Sequence, residues 1–174
     1  VWLGCRRSGV RFLDAADAAA PGVALAQGIG RWGNWFNNEL YGERTDLPWG
    51  LVIHQWDSRL GRAVIDANGE PVVLGTFHPT FLYESVFCIL LGLGLLLLDR
   101  RAALPRGAMT GLYVAGYPVG RIVVEAMRTD EANTILGLRV NIWTSVIVFA
   151  LGCWIIWWAH RRASRTEVDP RPDD

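Results

Sequence analysis

Four long apolar stretches divide the chain, and each has about the length that a helix needs to cross a membrane. They lie at about 17–38, 79–98, 107–127 and 140–159. The hydrocarbon core of a bilayer is spanned by about 20 mostly apolar residues in helical conformation. The pattern therefore predicts an all-α fold class, a polytopic membrane helical bundle with four spans in this chain.

The longest polar segment is the connection 39–78, between the first and second predicted spans. Within it, Asn68-Gly69 is flanked by Val64-Ile65 and by Val72-Val73-Leu74. An Asn-Gly pair between two β-branched runs is a strong signal for a tight turn between strands. We therefore expect a small loop region that contains a β-hairpin.

The two ends of the chain differ in composition. The first five residues are mostly apolar and precede two arginines, as at the end of a hydrophobic span. We therefore expect residues 1–174 to be a single membrane domain that is truncated at its N-terminus. Residues 161–174 are charged and rich in proline, so this tail is predicted to be disordered.

Arginine is distributed unevenly among the connections. The formal net charge is zero and all 17 basic residues are arginine, with no sign of a nucleic-acid-binding surface. The first loop, the 99–106 loop and the tail hold most of them: Arg6, Arg7, Arg11, Arg100, Arg101, Arg106, Arg161, Arg162, Arg165 and Arg171. Cytoplasmic loops carry an excess of Lys and Arg. These segments and the C-terminus are therefore predicted to face the cytoplasm, and the 39–78 loop to face outward.

Three groups of polar residues lie at the outward ends of the predicted spans. They are Arg31 to Glu39 on the first span, His78, Tyr83 and Glu84 on the second, and Tyr117, Arg121, Glu125 and Arg128 on the third. Charged groups at membrane depth are costly, so they are functional-site candidates. Because the three groups share one depth, they predict a site near the outer leaflet.

Two arginines on different spans indicate an anionic ligand. Arg31 and Arg121 are permanently charged, and a guanidinium binds phosphate through two parallel hydrogen bonds. At the outer leaflet, the phosphate is expected to belong to a phospholipid head group. The alternative is that Arg31 and Arg121 pair with Glu39 and Glu125 only to hold the bundle together. Glu84 is a candidate base, a partner for an arginine, or a carboxylate stabilised by the helix N-terminus.

Metal chemistry has no support in the sequence. The chain has three cysteines, Cys5, Cys88 and Cys153, at no metal-binding or redox spacing, and no two histidines are four residues apart. We interpret the cysteines as packing residues.

Three segments of the chain resemble motifs of a known family, the prolipoprotein diacylglyceryl transferases of bacterial cytoplasmic membranes. Residues 30–42 read Gly-Arg-Trp-Gly-Asn-Trp-Phe-Asn-Asn-Glu-Leu-Tyr-Gly and resemble that family's signature, with Trp35 where Phe is usual. Residues 78–84, His-Pro-Thr-Phe-Leu-Tyr-Glu, resemble a second motif of the family. Residues 117–128, which contain Gly120, Arg121, Glu125 and Arg128, resemble its late arginine helix.

The resemblance implies a fold of seven spans, of which this chain would be the last four. It implies transfer of the diacylglyceryl group of phosphatidylglycerol to the lipobox cysteine thiol of a preprolipoprotein signal peptide. A thioether forms, glycerol 1-phosphate leaves, and no cofactor or metal is needed. The protein would be a multi-pass protein of the bacterial inner membrane, surrounded by membrane lipids.

The chemistry of this reaction suggests a role for each candidate residue. The catalytic set is Arg31, Arg121, Glu39, Glu125 and Tyr117, and the set expected to bind phosphatidylglycerol is Arg31, Asn34, Asn37, Tyr83 and Glu84. Arg121 would stabilise the leaving phosphate, the glutamates would orient the arginines, and no base is assigned to the thiol. A transporter or flippase for an anionic lipid or solute, or a membrane scaffold, stays open as the alternative. A transporter would be expected to place some of its arginines at the midplane or the inner side, for alternating access.

Overall fold

The computed structural model describes residues 2–36, 41–127, 134–135 and 137–168. In chain order the elements within these ranges are α1 (Trp2–Arg7), α2 (Phe12–Gly30), α3 (Trp32–Phe36), β1 (Leu51–His54), β2 (Trp56–Asp57), β3 (Arg62–Ala63), β4 (Val73–Phe77), α4 (Thr80–Arg101), α5 (Ala108–Met127), β5 (Thr134–Ile135), β6 (Leu138–Arg139) and α6 (Val140–Val168). The mostly helical fold class that the apolar stretches predicted is confirmed.

The first predicted span, 17–38, does not form one helix. Helix α2 ends at Gly30, and Arg31 occupies the C-terminal cap with its N–H donating to the Gln27 carbonyl. The short α3 follows at once. Glycines at positions 28 and 30 weaken the helix there because they lose more conformational entropy than other residues. The break places Arg31 at a junction between two helices rather than on a continuous helix face.

Two of the described helices are long and apolar enough to cross a membrane by length and composition, Thr80–Arg101 and Val140–Arg165. Their apolar side chains are largely exposed, as at Leu90 (63%) and Ile147 (66%). The core helix of a soluble protein would bury such side chains, whereas lipid accommodates them. Helices α2 and α5 do not meet the same criterion, and the count of four spans stays a prediction.

Helix α5 packs against α4 and α6 through its glycines. Gly111 lies against Ile156 of α6, whereas Gly116 and Gly120 lie against Leu91 and Phe87 of α4. A Cβ atom at any of the three would collide with these neighbours, so the small residues permit close packing. This packing fixes the position of the polar face of α5 relative to α4.

The 39–78 loop contains short antiparallel pairs in a different arrangement from the predicted hairpin. Strand β4 pairs with β1, and β2 pairs with β3. Around Asn68-Gly69 the chain does reverse, and the Asp66 N–H donates to the Glu70 carbonyl and the Val72 N–H to the Val64 carbonyl, but the two sides form an isolated bridge between Ile65 and Pro71 and not a pair of regular strands. Pro71 has no N–H with which to extend a ladder. Val73 and Leu74, which were predicted to pair with Val64-Ile65, belong instead to β4, and β4 pairs with β1.

The tail of the protein stays helical further than predicted. Helix α6 continues to Val168, so the prediction of disorder from position 161 is wrong as far as that residue. Arg161 and Arg162 lie over the rings of Trp157 and Trp158, at 4.2 and 5.3 Å from the ring centroids. These cation–π contacts stabilise the last turns of the helix. Residues 169–174 lie outside the described residues.

Candidate functional site

One carboxylate pairs with two arginines, one at the α2–α3 junction and one on α5. Oε1 of Glu84 lies 2.7 Å from Nη2 of Arg31 and 3.1 Å from Nη1 of Arg121. The Glu84 side chain is 5% exposed, while the two arginine side chains keep 24% and 19% of their surface accessible. The buried carboxylate is therefore screened from water, and the guanidiniums still reach the surface of the site.

Local packing explains why these three residues meet. Glu84 lies in the second turn of α4, and α3 packs against the first turns of α4 through Trp32. The Trp32 indole N–H donates to Ser85 Oγ at 3.2 Å, and its ring contacts Phe81 edge-on. This anchor holds the α2–α3 junction beside α4, so Arg31 can reach Glu84.

Tyr117 completes the contact between Arg31 and α5. Nη2 of Arg31 donates to the Tyr117 hydroxyl at 3.0 Å. Tyr117 precedes Arg121 by one helical turn, so both side chains lie on one face of α5. The Tyr117 ring stacks on Tyr113, whose hydroxyl donates to Gln27 of α2 at 2.9 Å. The Arg31 guanidinium is thus fixed by a carboxylate and a hydroxyl at once.

A second buried carboxylate extends the network. Glu125 is 2% exposed in its side chain and pairs with Arg121 at 3.4 Å and with Nε of Arg139 at 2.9 Å. Asn141 Nδ2 donates to the same carboxylate at 3.0 Å. Across the described residues the network runs Arg31–Glu84–Arg121–Glu125–Arg139, with three guanidiniums and two carboxylates.

Tyr83 belongs to a neighbouring cluster at the edge of the loop. The Trp49 indole N–H donates to the Tyr83 hydroxyl at 3.0 Å, and His78 Nδ1 lies 3.0 Å from the same oxygen. The loop is held there because the N–H of Gly42 donates to the His78 carbonyl and the N–H of His78 to Glu43. Within the described residues, the hydroxyl of Tyr83 therefore contacts Trp49 and His78 and connects the loop to the start of α4. It is not among the groups that pair with Arg31 and Arg121.

The remaining predicted site residues fall into two groups. Asn34 lies in α3, and its backbone N–H donates to the Arg31 carbonyl at 3.1 Å. Arg31 and Asn34, both expected on the first span, do not lie on one continuous helix, because α2 ends at Gly30. The residues Asn37, Asn38, Glu39 and Arg128 lie outside the described residues.

Two members of the network were missed by sequence analysis. They are Arg139 and Asn141, and neither is among the predicted site residues. The available signal was local: Arg139 directly precedes the long apolar helix α6, and Asn141 lies in its first turn. Among the residues that the structure covers, no group of three or more His, Cys, Asp or Glu side chains is placed to hold a metal ion.

The chain is similar to a known protein family over most of its length. Residues 1–158 match the family model described as prolipoprotein diacylglyceryl transferase. A curated relative from Paenarthrobacter aurescens, named phosphatidylglycerol–prolipoprotein diacylglyceryl transferase, is 54% identical over 166 residues, which cover 94% of this chain and 52% of the relative. A protein of the same name from Streptomyces griseus is 50% identical over 168 residues, 96% of this chain and 48% of the relative. The chain spans about half the length of the curated relatives it matches.

Proposed function

Because this chain belongs to the prolipoprotein diacylglyceryl transferase family, we propose that the protein transfers the diacylglyceryl group of phosphatidylglycerol to the lipobox cysteine of a preprolipoprotein signal peptide. The names of the relatives state the lipid and the class of protein acted on. The observation that supports this proposal most is the convergence of Arg31 and Arg121, from different helices, on Glu84.

The charge of the network suits the lipid. The phosphodiester of phosphatidylglycerol carries one negative charge, and Arg31 and Arg121 are two cationic groups that share one oxygen atom of Glu84. Arg31 and Arg121 keep part of their surface accessible, so their outward N–H groups are available to phosphate oxygens. The donors are already oriented by Glu84 and Tyr117, which lowers the entropy cost of binding.

The same arginines also assist the chemistry. The thiolate of the substrate cysteine attacks the glycerol carbon that bears the phosphate, the C–S bond forms, and the C–O bond breaks. The electron pair stays on the phosphate oxygen, so glycerol 1-phosphate leaves with more negative charge than the diester had. Donors aimed at this developing charge stabilise the transition state more than the ground state.

The role proposed for each site residue follows from its place relative to the two arginines. Arg31 and Asn34, with Asn37, bind the head group, and Arg121 stabilises the leaving phosphate. Glu84, Glu125 and Tyr117 are positioning residues for the arginines, as is Glu39. Tyr83 supports the start of α4 below the loop. No cofactor takes part in this scheme.

We place the protein in the bacterial inner membrane with four spans in this chain, the site near the outer leaflet and the C-terminus in the cytoplasm. The exposed apolar surfaces of α4 and α6 support insertion. The arginine-rich ends of α4 and α6 support the orientation, since positive loops stay cytoplasmic.

The test uses the full-length enzyme that contains this segment, in membranes with phosphatidylglycerol and a peptide bearing a lipobox cysteine. We expect the peptide to gain the mass of a diacylglyceryl group as glycerol phosphate is released in equal amount. Replacing the peptide cysteine by serine is the matched control and should abolish both signals. Movement of labelled phosphatidylglycerol between leaflets without a mass gain would instead support a lipid transporter.

A further inference from the structure

The start of helix α5 is capped by a side chain that belongs to α2. Gly107 directly precedes α5, and its carbonyl accepts the first hydrogen bond of that helix, from the N–H of Gly111 at 3.0 Å. The residue at this position usually offers a side-chain oxygen to the free N–H groups of the first turn. Glycine has no side chain, and the φ of +90° at Gly107 disfavours any other residue there. A side-chain cap for α5 therefore has to come from another part of the fold.

Asp17 of α2 supplies this cap with both of its carboxylate oxygens. Oδ2 accepts the N–H of Gly107 at 2.6 Å, and Oδ1 accepts the N–H and the hydroxyl of Thr110 at 2.8 and 2.6 Å. Hydrogen bonds to a carboxylate are shorter and stronger than those between neutral groups. A negative charge is also favoured at a helix N-terminus by the helix dipole. These three bonds fix the start of α5 to α2 in one geometry.

The two helices that Asp17 joins carry the arginine site at their other ends. Arg31 directly follows α2, and it lies about 21 Å beyond Asp17 by helical rise. Tyr117 and Arg121 lie on the later turns of α5. Asp17 is therefore too far from the two guanidiniums to contact them or a phosphate that they bind. Any effect of Asp17 on the reaction has to pass through the placement of the helices.

We propose that Asp17 is a positioning residue for the transferase reaction, an inference that rests on the proposed function. By holding the start of α5 against α2, it sets the place of Tyr117 and Arg121 relative to Arg31. The two arginines pair with one oxygen atom of Glu84, so a shift of α5 along α2 separates donors that act on one phosphate. A misplacement of about 1 Å at a reacting centre lowers a rate by about 100-fold.

Asp14 offers a matched control about one turn earlier on α2. Its carboxylate pairs with Arg106, the residue directly before Gly107, at 3.2 Å. The two side chains of this pair are 41% and 61% exposed, and exposed ion pairs contribute little to stability. Asp14→Asn and Asp17→Asn therefore remove the same charge from the same end of α2, but only the second removes the cap of α5.

The first test measures thioether formation by the full-length enzyme in membranes that contain equal amounts of inserted protein. Asp17→Asn should lower kcat by about 10- to 100-fold and leave KM for the lipobox peptide within about twofold. Asp14→Asn should leave kcat within about twofold. Thr110→Val deletes one of the three bonds and keeps the side-chain shape, so it should lower kcat by a smaller factor. It takes the place of Asp17→Asn if that variant does not insert.

A double variant separates positioning from a general loss of stability. Free-energy effects of distant, independent substitutions usually add. Tyr117→Phe removes the hydrogen bond from Arg31 that Asp17 is proposed to align. In that background Asp17→Asn should lower kcat by about threefold or less. The same fold loss with and without the Tyr117 hydroxyl would show that Asp17 acts on stability alone, and it would overturn the inference.

A distance measurement tests the helix placement without the reaction. Ile29 near the end of α2 and Val123 on α5 are 70% and 58% exposed, so spin labels fit at both positions once the native cysteines are replaced. Electron paramagnetic resonance should show a broader distance distribution in Asp17→Asn than in Asp14→Asn, which should match the unsubstituted protein.

The outcomes distinguish this inference from the proposed function. Absence of thioether formation by the unsubstituted enzyme would contradict the transferase function, whereas the distance measurement would still report on Asp17. An unchanged distance distribution in Asp17→Asn would show that only the first turn of α5 loosens, and it would overturn the inference. Full kcat in a correctly inserted Asp17→Asn variant would overturn it as well.

Discussion

Arg31 and Arg121 donate to the same oxygen atom of Glu84, at 2.7 and 3.1 Å, although they come from opposite sides of α4 in the sequence. Two like charges are held together here only because a buried carboxylate lies between them. The arrangement requires the α2–α3 junction, α4 and α5 to be assembled. The candidate site is thus a property of the packed bundle and not of any one motif.

Replacing Glu84 by glutamine should cost both stability and activity. The amide keeps the shape of the side chain but leaves the guanidiniums without their shared counter-charge, and breaking a buried ion pair costs up to about 3–5 kcal/mol. The arginines reach solvent, so we expect the lower part of that range or less. Thioether formation should fall by about 100-fold or more, measured with the peptide assay on membranes containing equal amounts of protein.

Glu43→Gln is the matched control for this change. Glu43 is an exposed carboxylate in the loop, and its replacement should leave turnover within twofold of the original rate. If Glu84→Gln were as active as this control, the shared carboxylate would have no part in positioning the arginines.

Removing the Tyr117 hydroxyl should reduce activity while the fold is kept. Tyr117→Phe deletes the acceptor for Arg31, and a hydrogen bond to a charged group contributes about 1.5–3 kcal/mol. If that orientation is used in the transition state, kcat should fall by roughly 10- to 100-fold. The neighbouring Tyr113→Phe loses a hydrogen bond to Gln27 instead and should affect turnover much less. Equal effects of the two variants would argue against a specific role for Tyr117.

The cysteines of the protein should be dispensable for turnover. In the proposed reaction the nucleophile is the thiol of the substrate, and the enzyme forms no covalent intermediate. Cys5→Ser and Cys153→Ser, combined with Cys88→Ala for the buried thiol, should retain most of the thioether-forming rate. A loss of more than tenfold from the two outer substitutions alone would show that an enzyme thiol participates.

Asp66 should stabilise the loop turn in its ionised form. Its carboxylate accepts the N–H groups of Asn68 and Glu70 at 2.8 and 2.9 Å, and these donors lower the pKa of Asp66 below its usual 3.8. Because the folded pKa lies below the unfolded one, the contribution is complete above pH 3.8 and is lost as the pH falls through the lower folded value.

Hydrogen exchange tests this prediction at neutral pH. Asp66→Ala should speed exchange of the Asn68 and Glu70 amides, whereas Asp57→Ala, which removes a similar carboxylate turn at Arg59 and Leu60, should not affect them. Unchanged protection in Asp66→Ala would mean that the backbone alone holds the turn.

Part of the site could be predicted because it depends on short distances along the chain. Arg121 and Glu125 are four residues apart, so their pairing follows from helical geometry once α5 is assigned. The resemblance based on residues 30–42 and 78–84 is confirmed by the family match. A dense polar motif beside an apolar run carries this information without any knowledge of the fold.

The other features of the site and of the fold depend on contacts between elements that are distant in the sequence, which no local pattern encodes. Glu84 was left with three alternative roles, and its choice of arginine partners is fixed by Trp32 packing on α4. Arg139 pairs with Glu125 at 2.9 Å, and no helical spacing joins the two. Similarly, α6 extends beyond position 161, and Arg161 and Arg162 contact the Trp157 and Trp158 rings there, which the charge of the segment alone does not indicate.

The most direct test of the account compares Arg31→Ala and Arg121→Ala in the full-length enzyme. Thioether formation on the lipobox peptide would be measured in membranes that contain equal amounts of inserted protein. The account predicts that each variant loses activity by at least 100-fold, since each removes one of the two donors proposed to hold the phosphate. Full activity in either correctly inserted variant would contradict it.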